Sequence, residues 1–215
     1  MRLRVYTLAD KPACVELFSS NIPKFFAPHE LKDFETFLDA PNCTYFVVEN
    51  DAGVVIGCGG YYINQRSRAG ALCWGMVGNA YHHTGVGRFL LVERLRRLRT
   101  DYIDLYQIHW PLSPLDEAAQ ALAELKGQGK IRFVGLCNTN VEQIIEWKKL
   151  TGSHPDFVQE RYSLIQRKID AGLKPYTLKH AIPILAYSPL AQGLLTGTIR
   201  SDRVFGEGDR RGGAS

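Results

Sequence analysis

Apolar positions along the chain switch between alternating and helical spacing, and the switch is sharpest between Leu72 and Trp110. Leu72–Val77 is a short apolar run that reads as a buried strand. His82-His83-Thr84-Gly85-Val86-Gly87 follows as a loop, and Arg88–Leu98 then carries Leu91, Val92, Leu95 and Leu98 at helical spacing between arginines. Asp101–His109 returns to alternation with β-branched and aromatic content.

Upstream, Arg2–Thr7 alternates as an opening strand. Ala9–Ser20 has helical spacing through Cys14, Val15, Leu17 and Phe18, with Asp10 as N-cap and Pro12 in the first turn. A second helix is expected over Glu30–Asp39 and a strand over Thr44–Glu49. Asn50–Gly53 marks a hairpin turn, Val54–Ile63 a return strand, and Gln65–Gly70 another turn. Gly57, Gly59 and Gly60 inside that return strand point to a bulge or a close backbone approach.

Downstream, strands are expected over Asp101–Trp110, Ile131–Asn138, Phe157–Tyr162 and Ile182–Ser188. Helices are expected over Asp116–Gly127, Asn140–Leu150 and Ala171–His180. Strands alternating with helices imply parallel βα units. From Ser201 the polar, glycine-rich tail reads as loose.

Composition adds modest constraints. Hydrophobic residues make up 45% and charged residues 22%, as in ordinary globular proteins. The net charge of +4 comes largely from Arg88, Arg94, Arg96, Arg97 and Arg99, which read as a solvated helix face. No interleaving of basic and aromatic residues suggests nucleic acid, and no run is long enough to span a membrane. Five scattered cysteines imply reduced thiols in a cytoplasm. His82 and His83 have side chains pointing apart and no third ligand nearby, so no metal site is expected.

A glycine turn opening a helix offers free N–H groups to an anion, and Gly85 and Gly87 let a pyrophosphate approach the backbone. With the preceding order of strand, two helices and three-strand meander, residues 1–98 resemble the GNAT superfamily of acyl-CoA-dependent N-acyltransferases. That resemblance rests on the loop His82-His83-Thr84-Gly85-Val86-Gly87, flanked by Trp74–Val77 and by Arg88-Phe89-Leu90-Leu91, with His82 where the family has Arg or Gln. It implies that Met76 and Val77 present backbone groups to the pantetheine arm of acetyl-CoA. It implies that His82, His83, Thr84, Gly85, Val86, Gly87 and Arg88 form the cofactor loop, residues 83–88 cradling the pyrophosphate. The chemistry implied is attack of an amine on a thioester, which needs a proton acceptor; Glu49 and a water are the two candidates. The tyrosine acid of the family has no counterpart, since residues 113–130 contain no tyrosine.

His109, Asn138, Gln159 and Tyr187-Ser188 each end a different strand, so all converge if the strands are parallel. Thr100–Trp110, Gly129–Arg132, Val134–Asn138, Gln159–Leu164, Tyr187–Leu190 and Gly193–Gly197 place residues 95–211 in resemblance to the middle of aldo-keto reductases, NADP-dependent β/α barrels. The resemblance implies that His109 orients a carbonyl and that Asn138 and Gln159 hold the nicotinamide carboxamide. It further implies that Tyr187 stacks on the ring and that Ser188 and Leu190 touch the pyrophosphate. The Asp, Tyr and Lys of that family's first strands have no counterpart in this sequence.

The expectation is therefore an α/β chain joined near Leu95–Thr100. A GNAT-like mixed sheet with helices occupies residues 1–99, and a partial, four-strand β/α barrel occupies 100–215. The barrel strands lie open or extend the first sheet through Tyr102–Ile108. Three functions follow: an acetyl-CoA-dependent N-acyltransferase with a small-molecule amine acceptor, an NADP-dependent reductase completed by a partner, or a non-catalytic fusion. Open sheet edges imply self-association.

Overall fold

The computed structural model describes residues 1–110, 115–200 and 203–206. The expected loose tail from Ser201 lies outside the described residues except for 203–206. The chain forms two compact units, Met1–Asp101 and Tyr102–Ser215.

In the first unit, β1 (Arg2–Val5), β2 (Thr44–Glu49), β3 (Val55–Asn64) and β4 (Ala69–Val77) form an antiparallel sheet in that order. The β2–β3 turn is held by Asn50, whose Oδ1 accepts the N–H groups of Ala52 and Val54 at 3.0 and 2.9 Å. Alternation along β2 sends neighbouring residues to opposite layers. Tyr45 and Val47, with Cys58 and Met76, pack on Cys14, Leu17 and Phe18 of α1 (Lys11–Ser20) and on Phe34 and Leu38 of α2 (Glu30–Asp39). Val48 and Ile56 meet Val86 and Leu90 of α3 (Val86–Leu98). Phe18, Phe34, Leu38 and Leu90 are essentially fully buried, each contributing roughly 1.5–3 kcal/mol by leaving water.

The glycines of β3 serve both purposes expected of them. Cys58 pairs with Met76 and Gly60 with Cys73, so one β3 residue faces two on β4, with Trp74 at φ +38°. This is a bulge. The close approach involves both backbone and side chain: a Cβ built on Gly60 would lie 2.6 Å from the Thr44 carbonyl oxygen, and one on Gly59 or Gly75 would lie 2.9 or 2.7 Å from Nη1 of Arg94.

Arg94 corrects the reading of a solvated arginine face. It is buried at 6% exposure, while Arg96 and Arg97 pair with Glu93. The buried stripe of α3 is Val86, Leu90 and Arg94, one helical turn apart. Val92, expected in the apolar stripe, is 44% exposed. Asp10 is a second correction. It precedes α1 but caps no N–H of that helix with its side chain. Its carboxylate accepts both terminal nitrogens of Arg4 at 2.7 Å, together with the N–H and hydroxyl of Thr7.

In the second unit, β5 (Ile103–Ile108), β6 (Ile131–Cys137), β7 (Phe157–Arg161) and β8 (Ile184–Tyr187) form a parallel sheet in sequence order. Tyr102–Ile108 therefore does not serve as the next strand of the first sheet: Ile103 pairs with Ile131 and Ile108 with Leu136. Helices α4 (Asp116–Gly127), α5 (Val141–Thr151) and α6 (Leu173–Lys179) follow successive strands. The expected helix over Ala171–His180 is shorter, because a 3-10 turn occupies Lys168–Ala171 and Gly172 breaks regular geometry. Asn140 caps α5, accepting Gln143 N–H at 2.8 Å while the Gln143 side chain accepts from Asn140 N–H.

The core of this unit joins Val134, Leu136 and Val158 to Leu122, Ile144, Trp147 and Leu173. The register assigns Leu105, Phe133 and Leu185 to the other face, where they are 57%, 49% and 41% exposed. On that same face, a Cβ on Gly135 would overlap the ring of its partner Phe157, at 2.3 Å.

Candidate functional site

The glycine loop begins where β4 ends. Asn21, at the end of α1, donates its Nδ2 to the carbonyls of Val77 and Leu17, both at 2.8 Å. The ring Nε2 of His82 lies 3.1 Å from the same Val77 carbonyl, and the ring packs edge-on against Phe25. His82 thus ties the loop to the strand it leaves. Nothing in the sequence singled out Asn21; its only signal is a polar residue at a helix end.

Beyond His82 the backbone turns through His83 at φ +62° and Gly85 at φ +87°, ψ −4°. Thr84 donates its hydroxyl to the Tyr81 carbonyl at 2.6 Å. Helix α3 starts at Val86, two residues earlier than expected. Val86 is buried and anchors the turn, while His83, Thr84, Gly85, Gly87 and Arg88 are exposed. Among the described residues no side chain caps the first turn of α3, which leaves its N–H groups beside the positive end of the helix dipole. Nothing lies within 4 Å of a Cβ built on Gly85, and one on Gly87 would meet only Val77 Cγ2, at 3.7 Å. The loop presents backbone donors with open space over Gly85.

Met76 is buried opposite Cys58 and faces α1 and α2. Glu49 lies at the end of β2, where its Oε1 accepts Arg4 Nε at 2.7 Å and its Oε2 sits 3.7 Å from Arg2. Its carboxylate is thus part of the Arg4–Asp10 network. His82 and His83 have ring centroids 6.4 Å apart at 81°, and no metal-ligating cluster occurs among the described residues.

At the carboxyl ends of β5–β8 the expected residues converge. Asn138, at φ +55°, donates Nδ2 to the His109 carbonyl at 3.1 Å, and its Oδ1 accepts the Tyr187 hydroxyl at 2.7 Å. Its N–H donates to the Gln159 carbonyl at 3.0 Å. One residue thereby links the ends of β5, β6 and β8 to the middle of β7, since Gln159 lies inside its strand and does not end it as expected. The His109 ring is exposed beside Trp110. Ser188 lies at φ +52°, and its carbonyl accepts the Ala191 N–H; the Leu190 carbonyl accepts Gly193 and Leu195. Burial raises the Tyr187 phenol above its ordinary pKa. A cavity of about 250 Å³ lies elsewhere in this unit, between α4, α5 and the start of β7, with Trp147 in its wall and the Lys126–Asp156 ion pair beside it.

Two family models match. The acetyltransferase (GNAT) family matches residues 13–129, and the aldo/keto reductase family matches residues 88–213. Each covers more than half of the chain. The chain belongs to both families. Residues 88–129, which include β5 and α4, fall within both matches.

The reductase part is 41% identical over 117 residues to the aldo-keto reductase YhdN of Bacillus subtilis, covering 54% of this chain and 34% of that protein. It is also 41% identical over 117 residues to an NADH-specific methylglyoxal reductase of Escherichia coli, covering 52% of this chain and 35% of that protein. The chain thus spans about a third of the length of these curated relatives. Among solved structures, the glycerol dehydrogenase AKR11B4 of Gluconobacter oxydans is similar at a TM-score of 0.54 and 38% identity, over 59% of this chain and 38% of that one. The four parallel strands are accordingly part of a reductase barrel. Among the described residues, no helix is long and apolar enough to cross a membrane.

Proposed function

We propose that the acetyltransferase-family unit binds acetyl-CoA at the His83–Arg88 loop and carries acetyl transfer to the amine of a small molecule. The observation that supports this reading is the turn through Gly85 at φ +87°, which opens α3 with uncapped N–H groups. Those donors suit a pyrophosphate, and the space over Gly85 and Gly87 accommodates it. Acetyl-CoA supplies the acyl group as an activated thioester. His82 fixes the loop to β4, and Asn21 fixes the end of β4 to α1. The amine must lose a proton, and Glu49 is already engaged by Arg4. Water is the proton acceptor that fits this arrangement. The reading is of a cytoplasmic protein, in keeping with five cysteines that stand unbonded.

A thermal-shift titration with acetyl-CoA tests the reading. A saturable rise in Tm that disappears when Gly85 and Gly87 are replaced by valine supports it. No rise in the parent chain ends it.

A second reading, that the carboxyl ends of β5–β8 bind NADP, is favoured by the convergence of His109, Asn138, Gln159 and Tyr187. Turnover in this reading needs the phenol and lysine that the family carries on its first strands, supplied by a partner. Titration of NADPH fluorescence tests it, and an unchanged spectrum rejects it. The open edges of β5 and β8 also support self-association, which size-exclusion chromatography over a concentration series measures.

A further inference from the structure

Three of the five cysteines are buried: Cys14, Cys58 and Cys137. The remaining two are partly exposed and meet. Cys43 lies just ahead of β2 and Cys73 lies on β4, thirty residues on, yet their sulfur atoms are 2.8 Å apart. They reach each other across β3 because of Gly60. In register, Gly60 stands between Tyr45 on β2 and Cys73 on β4. A Cβ there would lie 2.6 Å from the Thr44 carbonyl oxygen, 2.7 Å from the Tyr45 ring and 2.9 Å from the Cys43 sulfur. The middle strand thus carries no side chain where the two thiols need room.

We propose that Cys43 and Cys73 are a modification site, at which exchange with a small disulfide joins them in an intrachain bridge. The Cys43 thiolate attacks one sulfur of the small disulfide. That bond breaks, one small thiol leaves with a proton, and a mixed disulfide remains on Cys43. The Cys73 thiolate then attacks the Cys43 sulfur and releases the second small thiol. Two protein thiols are oxidised, and one small disulfide is reduced to two thiols. Bridging draws the sulfurs from 2.8 Å to the ~2.05 Å of a bonded pair.

Cys43 is the entering nucleophile. Burial pushes the Cys73 thiol up to about 12, whereas at Cys43 the hydrogen bond from Cys73 opposes the effect of burial. Both shifts slow the exchange near neutral pH and quicken it as pH rises. Cys14 and Cys58 are each 0% exposed, so a dissolved disulfide does not reach them in the folded chain.

The test uses the full reduced chain and oxidised glutathione at pH 8. Thiols are counted in denaturant before and after, and disulfide-linked peptides are mapped by mass spectrometry once the remaining thiols are blocked. Expected are a fall from five free thiols to three, a linked Cys43–Cys73 peptide, and glutathione on Cys43 in acid-quenched early samples. The bridge closes a thirty-residue loop, so the Tm of the oxidised chain rises by about 5 °C and returns on reduction. Five thiols remaining, a stable glutathione adduct without a bridge, or a bridge between other cysteines overturns the proposal. Every arm reads the unaltered chain, so no variant needs to fold.

Discussion

The Tyr187 hydroxyl donates to Oδ1 of Asn138 at 2.7 Å, joining two residues 49 apart in sequence at the ends of β8 and β6. The same Asn138 amide donates to the His109 carbonyl. The side-chain polar atoms of Asn138, which the reductase resemblance assigns to a nicotinamide carboxamide, are thus engaged within the protein, and a carboxamide binding there displaces these bonds. Tyr187→Phe removes one neutral hydrogen bond and costs about 1 kcal/mol. Asn138→Ala loses the side-chain bonds to His109 and Tyr187 and places alanine at φ +55°, costing about 2–3 kcal/mol. Urea unfolding of both variants checks the ranking.

Gly85 and Gly87 separate stability from binding. Gly87 lies in the first turn of α3 at ordinary helical φ, and a Cβ there meets Val77 in normal contact. Gly87→Ala therefore stabilises the fold by about 0.5–1 kcal/mol while narrowing the loop, so Tm rises and acetyl-CoA affinity falls. Gly85 sits at φ +87°, where a Cβ is strained although space is open. Gly85→Ala lowers stability by about 1–2 kcal/mol. Melting curves with and without acetyl-CoA measure both effects.

The Arg4–Asp10 pair sets an acid limit. Hydrogen bonds from the Arg4 guanidinium hold the Asp10 carboxyl at about 2, below its ordinary 3.8. A carboxylate lowered in the folded state stabilises above its unfolded pKa, and that stability disappears as pH falls towards the folded value. The pair therefore contributes on the order of 2 kcal/mol at neutral pH, lost progressively from about pH 5 to pH 2. Asp10→Asn makes the first unit less stable at pH 7 and flattens its acid dependence. Unfolding monitored from pH 7 to pH 2 shows whether the two curves converge.

Arg94 and the two glycines beneath it form one packing unit. Gly75→Ala puts a methyl group 2.7 Å from the guanidinium and costs about 1–3 kcal/mol. Arg94→Ala removes the obstacle, so the double variant is more stable than the sum of the single effects requires. A double-mutant cycle measures a coupling of about 1 kcal/mol or more.

Much of this architecture is legible in one dimension, because local spacing controls local structure. The strand over Thr44–Glu49 and the helices over Glu30–Asp39 and Asp116–Gly127 are legible within their own segments. The convergence at Asn138 is legible too, since parallel strands put all their carboxyl ends on one side. What escapes is long-range choice. Arg94 reads as surface until Gly59 and Gly75, some 35 and 19 residues away, are brought beneath it. Asp10 reads as a cap because nothing near α1 reveals that Arg4 claims its carboxylate. Tyr102–Ile108 has a pattern either sheet could use, and only pairing with Ile131–Cys137 decides it. The meeting of Cys43 with Cys73 depends on the register of three strands and has no local signature.

The naked side of the β5–β8 layer, with Leu105, Phe133 and Leu185 turned to water, has a consequence for the fate of the molecule in a cell. Chaperones and proteases recognise such surfaces as unfinished. Such a face is expected to speed removal by quality control and so to lower the steady-state amount of the protein at a given rate of synthesis.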